Sequence, residues 1–128
     1  NTRLSFYKRI ASAKNELDLE EIKVELIDRF GRLPDAARNL LDIARLRQQA
    51  QKLGIRKLES NEKGGVIEFN EKNNVNPVWL IGLLQKQPQH FRLDGPTRLK
   101  FMQDLEERKT RMDWVRQFMC QLEENAVA

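Results

Sequence analysis

The sequence has only one cysteine, Cys120, among its 128 residues, so the chain cannot form an internal disulfide bond. Disulfides accumulate in oxidising compartments, and this scarcity favours a reducing, cytoplasmic location. We expect Cys120 to be a small buried residue on a helix, because free cysteine behaves mainly as a small hydrophobe. Glycine (6) and proline (4) are also scarce, which excludes collagen-like and low-complexity chains.

Long apolar runs are absent as well. The longest, from Val78 to Leu84, is far shorter than the roughly 20 residues that a membrane-spanning helix needs. No leader of the kind that directs secretion opens the chain, so we expect no membrane contact. The chain starts at Asn1 without a methionine, and its first residues resemble the middle of a sequence. We therefore expect a fragment of a longer protein, large enough to bury one core.

The sequence also lacks the motifs of common catalytic sites. It contains neither a GxxxxGK[ST] phosphate loop nor a GxGxxG motif. A metal site needs clustered ligands, whereas the only histidine, His90, is far along the chain from the only cysteine. His90 lies beside a predicted strand, where a half-buried structural role is usual. We expect a domain that is not an enzyme, with no catalytic residue, no metal and no cofactor.

Charge is plentiful but unevenly distributed. The net charge is +4, and residues 1–58 hold 13 Lys or Arg against 8 Asp or Glu. The remaining residues hold 10 against 11, so the basic excess is confined to the first half. A basic balance favours nucleic acid as a partner only when the charges share one surface.

Hydrophobic periodicity divides the chain, predicted to be a single domain, into three regions. Residues 1–54 are predicted to form three helices, and residues 55–102 strands with a short helix. Residues 103–125 are predicted to form a long C-terminal helix. Helices that pack on a small, mainly antiparallel sheet define the α+β class, and this is the fold that the sequence predicts.

Local signals set the ends of the predicted helices. Asp18 followed by Glu21 has the pattern of a capping box for the second helix, and Gly31 ends that helix. Pro34 is expected in the first turn of the third helix, which Gly54 ends. These residues give the first half a regular helical organisation.

The second half combines strand and helix signals. Two antiparallel strand pairs are predicted: Ile55–Glu59 with Val66–Phe69, and Phe91–Leu93 with Arg98–Phe101. Asn76 and Pro77 predict the start of a short helix, and Trp79 within its apolar run is expected in the core. Apolar residues at helical spacing from Leu105 to Leu122 predict the last helix.

The second helix carries a broad face of mixed charge, formed by Glu21, Glu25, Asp28 and Arg29. A second arc is apolar and is predicted to face the core: Ile22, Val24, Leu26, Ile27 and Phe30. Two interpretations of the charged face remain open. It is either a solvated face in which Glu25 and Arg29 pair, or a docking surface whose charges select a partner.

A basic stripe follows the third helix and continues into the next strand, with Arg38, Arg45, Lys52, Arg56 and Lys57 as its members. It could contact the phosphates of duplex DNA, although a solvated helix face has the same pattern. No aromatic residue lies within the stripe to stack on single-stranded bases. Arg47 falls instead within the apolar arc. We expect an internal ion pair for Arg47, because burying a lone guanidinium is costly.

Three stretches of the first half carry a resemblance to a known family: residues 3–11, residues 25–34, and residues 39–41 with 44–47. Their sharpest blocks are Tyr7-Lys8-Arg9 and the run from Asp28 through Phe30 and Gly31 to Pro34. Together they resemble the C-terminal domain of bacterial transcription-repair coupling factors. From Ile55 onward the similarity is one of order and length, without an equally specific motif.

The resemblance implies a regulatory module of a larger protein. In that family the parent is an ATP-driven translocase on double-stranded DNA that removes stalled RNA polymerase and recruits UvrA. Its terminal domain folds back on a UvrB-like module, where it hides the UvrA-binding surface and restrains the motor. The resemblance therefore implies autoinhibition in transcription-coupled nucleotide excision repair. Because no heptad pattern indicates a stable dimer, we also expect a monomer, and under this interpretation the domain alone needs no nucleic acid.

The resemblance also directs attention to particular residues. Glu25, Asp28, Arg29 and Arg32 are expected to form the docking surface. Phe30, Gly31 and Pro34 are expected to be structural, as core anchor, helix end and helix start. Two other functions remain open: an accessory duplex-DNA-binding domain that uses the basic stripe, and a folding cap that only solubilises the C-terminus of the parent.

Overall fold

The computed structural model describes residues 2–127, which form five helices and a four-stranded sheet. In chain order the helices are α1 (Thr2–Ala11), α2 (Glu16–Phe30), α3 (Asp35–Leu53), α4 (Pro77–Lys86) and α5 (Arg108–Glu124). The strands are β1 (Ile55–Asn61), β2 (Gly64–Phe69), β3 (Phe91–Leu93) and β4 (Arg98–Met102). All strand pairs are antiparallel, which confirms the predicted α+β class.

The chain divides into two compact units, one ending at Gln48 and the other starting at Gln49. We call residues 2–48 the helical unit and residues 49–127 the sheet unit. The division falls inside α3, which contributes residues to both. Within residues 2–127, no helix combines the length and the apolar character that crossing a membrane requires.

The core of the helical unit is made of apolar side chains from α1, α2 and α3. Leu19, Ile22 and Leu26 recur on α2 at helical spacing and are buried. They belong to one cluster with Phe6 of α1, whose ring meets that of Phe30 edge-on with 6.1 Å between the centroids. Full burial of each such side chain contributes about 1.5–3 kcal/mol. This packing holds one side of α2 and leaves the other side to solvent.

The start of α2 lies three residues before the predicted one. Asn15 is the N-cap, and its Oδ1 accepts a hydrogen bond of 2.9 Å from the backbone N–H of Asp18. Asp18 lies within the first turn, where its carboxylate accepts a 3.0 Å bond from the N–H of Lys14. The predicted capping box of Asp18 with Glu21 is therefore wrong. Asn15 and Asp18 satisfy the free N–H groups of the helix end instead.

Replacing Asn15 by alanine should lower the free energy of unfolding by about 1 kcal/mol, because the N–H of Asp18 loses its acceptor. Urea unfolding followed by circular dichroism measures the change. The matched variant Asn15→Ser keeps an oxygen that can cap the helix, so its loss should be much smaller. Equal losses in the two variants would contradict the capping role.

The sheet has the strand order β1-β2-β4-β3. β1 and β2 form the predicted hairpin, although their pairing extends as far as Asn61 opposite Gly64. β4 is central and pairs with both β2 and β3, which confirms the second predicted strand pair. Because side chains alternate along a strand, each strand sends every second residue to the same face of the sheet.

One face of the sheet packs against α5 through stacked aromatic rings. The centroid of the Phe101 ring lies 4.6 Å from that of Trp114, and Trp114 lies 5.2 Å from Phe118. Phe91 of β3 joins the same stack, at 5.2 Å from Phe118. Leu105, predicted to belong to the last helix, is buried but precedes it. This aromatic layer is the core of the sheet unit.

Three residues of the sheet unit are less buried than the sequence predicts. Trp79 is only half-buried, and its neighbour Val78 is 78% exposed on α4. Cys120 is exposed rather than buried, because Phe118 and Met119 supply the contacts of α5 to the core. The side chain of His90, expected to be half-buried, is exposed. At these three positions the type of residue alone was therefore a poor guide to how deeply the side chain is buried.

Candidate docking surface

The solvent side of α2 carries the charged residues that the sequence analysis selected. Glu25, Asp28 and Arg29 are all exposed and lie in the C-terminal half of the helix. Asp28 lies on the side away from the buried residues of α2, whereas Glu25 and Arg29 lie nearer its border with Ile22. The core therefore holds the helix and leaves these side chains exposed. The fold therefore presents this face on a rigid support.

Gly31 and Pro34 determine how Arg32 joins this face. Gly31 ends α2 with a φ of 78°, and its N–H donates a 2.8 Å hydrogen bond to the carbonyl of Ile27. Glycine adopts this left-handed conformation at little cost, and the next residue, Arg32, is exposed. Pro34 immediately precedes α3, where its carbonyl accepts the first hydrogen bond of that helix from Arg38 at 2.9 Å.

Phe30 lies at the border between the core and this face. Its ring is half-buried against the helical core, and the guanidinium of Arg3 lies 5.5 Å from the ring centroid. A cleft of about 270 Å³ opens beside it, with Tyr7 and Arg32 among its lining residues. The Phe30 ring and Arg32 therefore line the same cleft.

The ion pairing of the face differs from the predicted one. Glu25 pairs with Arg9 of α1 rather than with Arg29. Within residues 2–127, neither Asp28 nor Arg29 takes part in an ion pair. The sequence analysis missed Arg9, although it lies in the Tyr7-Lys8-Arg9 block that carried the resemblance. The Arg9–Glu25 pair joins two of the stretches that carry the resemblance, residues 3–11 and residues 25–34, across α1 and α2.

Two apolar residues are exposed beside these charges. Val24 is 56% and Ile27 is 39% exposed, although the sequence analysis placed both in the arc that faces the core. That prediction is wrong for these two, because Leu19, Ile22 and Leu26 already fill the contact with the core. We call the six exposed residues of this region the α2 surface: Val24, Glu25, Ile27, Asp28, Arg29 and Arg32.

The basic stripe of α3 and β1 is largely neutralised by carboxylates. The nearest nitrogen–oxygen distances are 4.0 Å for Arg38–Asp35, 3.2 Å for Arg45–Glu20, 3.0 Å for Arg56–Glu68 and 3.4 Å for Lys57–Glu59. Among the described residues, only Lys52 of this stripe has no such partner. Each carboxylate reduces the field that would attract a phosphate, and DNA binding by this stripe stays a prediction.

Arg47 differs from its predicted role. The helical wheel placed it within an apolar arc, but its side chain is exposed in the structure. An exposed guanidinium keeps its hydration, and this removes the reason for an internal ion pair. The arginines of α3 that have carboxylate partners are Arg38 and Arg45, and the guanidinium of Arg45 also lies 4.0 Å from Asp42.

No arrangement of metal ligands occurs in the described part of the chain. Residues 2–127 contain no group of three or more His, Cys, Asp or Glu placed to hold a metal ion. The absence of catalysis and of a cofactor stays a prediction. The chemistry available on the α2 surface is that of recognition, by charges of both signs next to apolar side chains.

Comparison with known proteins shows which family this chain is related to. A family model described as "TRCF domain" matches residues 1–80. The transcription-repair-coupling factor of Escherichia coli is 86% identical over 128 residues, which are all of this chain and 11% of that protein. The one from Haemophilus influenzae is 51% identical over 115 residues, or 90% of this chain and 10% of that protein. The chain thus spans about a tenth of the length of these relatives.

A solved structure gives independent support for the fold. It is described as the C-terminal domain of a transcription-repair coupling factor, and it superposes with a TM-score of 0.64 at 23% sequence identity. The match covers 94% of this chain and 78% of that one. The chain therefore belongs to the TRCF domain family, and its fold is that of a C-terminal domain of a transcription-repair coupling factor.

Proposed function

We propose that this chain is a non-catalytic, autoinhibitory domain of a cytoplasmic DNA translocase that acts in transcription-coupled repair. The α2 surface docks on the UvrB-like module of the parent protein, masks the surface that UvrA must reach, and restrains the motor. Through this contact the domain affects the parent's work with UvrA and RNA polymerase. The observation that carries the proposal is one exposed helix face with charges of both signs beside exposed apolar residues.

The two kinds of residue on the α2 surface support docking in different ways. Charges of both signs set register and exclude wrong partners, and they add more to specificity than to affinity. Val24 and Ile27 supply apolar area, which the centre of a protein interface needs. A helix face that only contacts water gains nothing from exposed apolar residues such as Val24 and Ile27.

Linkage within one chain allows such a contact to be weak and reversible. A flexible tether gives an effective concentration of the order of millimolar. A contact with a Kd of about 10 μM would then keep the docked state populated roughly 100-fold over the released state. A contact of this strength holds the parent at rest and still opens when a competing partner binds.

The triple variant Glu25→Ala/Asp28→Ala/Arg29→Ala, made in the full-length parent, tests the proposal. Loss of three exposed polar contacts should weaken docking by about 2 kcal/mol in total, or roughly 30-fold. UvrA binding and DNA-dependent ATP hydrolysis should therefore rise. Because all three side chains are exposed, the free energy of unfolding should change by less than about 0.5 kcal/mol.

A matched control removes the same charges elsewhere. Glu106→Ala/Glu107→Ala/Lys109→Ala also deletes two acids and one cation, from exposed positions at the start of α5. This variant should behave as the unmodified parent. Unchanged UvrA binding in the α2 variant, or an equal rise in the control, would overturn the proposal.

Deleting these 128 residues from the parent separates regulation from the simpler role of a folding cap. An autoinhibitory domain predicts higher ATP hydrolysis and higher UvrA capture after deletion. A folding cap predicts lower stability of the parent without any rise in activity.

A further inference from the structure

The face of the sheet opposite α5 is strongly basic. Phe91 and Phe101 point toward α5, so the residues that alternate with them lie on the other face. The cations of this face come from β1, β3 and β4: Arg56, Lys57, Arg92, Arg98 and Lys100. Arg56 lies at a register shift of β1, and its side chain reaches Glu68 on this face. The strands contribute only two carboxylates there, from Glu59 and Glu68. We call these five cations the basic sheet face.

Two of these cations lie directly opposite each other. Arg92 of β3 pairs with Lys100 of β4, and the neighbour of Lys100 on its other side is Val66 of β2. Like charges in directly opposite positions destabilise a sheet. Within residues 2–127 neither Arg92 nor Lys100 forms an ion pair. The positive charges of Arg92 and Lys100 therefore repel each other, and within residues 2–127 no carboxylate pairs with either of them.

A third unbalanced cation lies beside this pair. Arg98 is two residues before Lys100 on β4, about 7 Å along the strand, and stands opposite Glu68. The Oε1 of Glu68 accepts a 3.0 Å bond from Arg56, and within residues 2–127 no ion pair joins Glu68 to Arg98. The Nε of Arg98 is buried and has no hydrogen-bond partner. An anion on this face would find cations whose charge is incompletely neutralised.

We propose that the basic sheet face binds the phosphate backbone of duplex DNA. Its cations lie on a sheet surface that phosphates can reach, and Lys100 also lines a cleft with Val66 and Met102. A protein partner would need apolar anchors at the centre of the contact, whereas the apolar residues here are the half-buried Val66 and Met102. The aromatic rings of the sheet lie on the opposite face, so bases of a single strand have no stacking platform.

This site differs from the basic stripe suggested by the sequence and does not depend on the α2 surface. Arg56 and Lys57 belong to both sets, but each has a carboxylate partner. Arg92 and Lys100 carry the proposal. With so few phosphate contacts the affinity is that of a non-specific site, with a Kd of about 10⁻⁴ to 10⁻⁶ M at physiological salt.

The test is a titration of the 128-residue chain with a short mixed-sequence DNA duplex, followed by fluorescence anisotropy at several salt concentrations. In the variant Arg92→Gln/Lys100→Gln, affinity at low salt should fall at least about tenfold. The slope of log affinity against log salt should become shallower by about 2, since each lost phosphate contact removes about 0.9. The melting temperature should stay equal or rise, because the variant removes a repulsive pair.

The control variant Lys72→Gln/Lys109→Gln removes two exposed cations of the sheet unit that lie outside the strands. It should keep the affinity and the salt slope of the unmodified chain. Absence of binding to the duplex at low salt would overturn the proposal, and so would an equal loss of affinity in the two variants. A third contrary result would be displacement of the duplex by an oligoglutamate that has the same net charge as the duplex, at an equal concentration. The last result would show an acidic protein segment as the partner.

Discussion

Replacing Gly64 by alanine should unfold the sheet unit or bring it close to unfolding. A Cβ atom at this position would lie 1.9 Å from the carbonyl oxygen of Phe101, an atom of the neighbouring strand that cannot move away freely. The φ of 138° is also one that residues with a side chain rarely adopt. We expect a loss of about 3–5 kcal/mol, out of the 5–15 kcal/mol that a typical domain has.

Urea unfolding followed by tryptophan fluorescence measures this loss of stability. The signal reports on the sheet unit, because both tryptophans, Trp79 and Trp114, lie in it. The control makes the same chemical change at Gly82, inside α4, where an added Cβ meets no atom within 4 Å. Gly82→Ala should stabilise the chain by about 0.4–1 kcal/mol, because alanine favours a helix. Two variants with the same added methyl group should therefore shift stability in opposite directions. Similar midpoints for both would contradict the close packing of β2 against β4.

The need for glycine at position 64 comes from a distant strand and could not be predicted from the neighbouring residues. The pair Gly64-Gly65 is typical of a turn, and the sequence analysis placed both residues in the loop of the hairpin. In the structure they are the first residues of β2, and the turn lies at Glu62 and Lys63. The glycines are required by the approach of β4, a strand more than thirty residues away. No local pattern reports that approach.

Local signals, in contrast, predicted the helix ends well. Gly31 and Gly54 end α2 and α3, both with positive φ, and Asn76 caps α4 through its side chain. Each of these signals acts within one turn of its own residue, so a sequence contains it completely. The error at the start of α2 arose because Asn15 and Asp18 are both good caps, and only packing decides between them.

Burial was harder to predict because it depends on the neighbours of a helix. Periodicity gave α2 an apolar arc that included Val24 and Ile27, but the contact with α1 and α3 is narrower than that arc. The same holds for Val78 on α4. The charges of the α2 surface were found from the sequence, and its exposed apolar residues were not. The cross-strand pair of Arg92 and Lys100 lies in a strand pair that was predicted, but it needed the register of that pair, which was not.

The largest functional effect should come from those unpredicted apolar residues. In the full-length parent, the variant Val24→Asp/Ile27→Asp should release the domain further than the loss of the charged residues does. Burying two partly exposed aliphatic side chains contributes about 2 kcal/mol, and placing two carboxylates in the same contact costs more still. Docking should weaken at least about 30-fold. UvrA binding and ATP hydrolysis should rise further than in the triple alanine variant.

A matched control separates this effect from a general response to added charge. Leu4→Asp/Ile43→Asp replaces residues that are 51% and 44% exposed, close to the 56% and 39% of Val24 and Ile27, on α1 and α3 instead of α2. Both variants should unfold at nearly the same urea concentration as the unmodified chain, since neither pair is buried. If the control raises UvrA binding as much as the α2 variant, the apolar part of the α2 surface is not what docks. If the α2 variant alone raises it, affinity comes from Val24 and Ile27, and the surrounding charges select the partner.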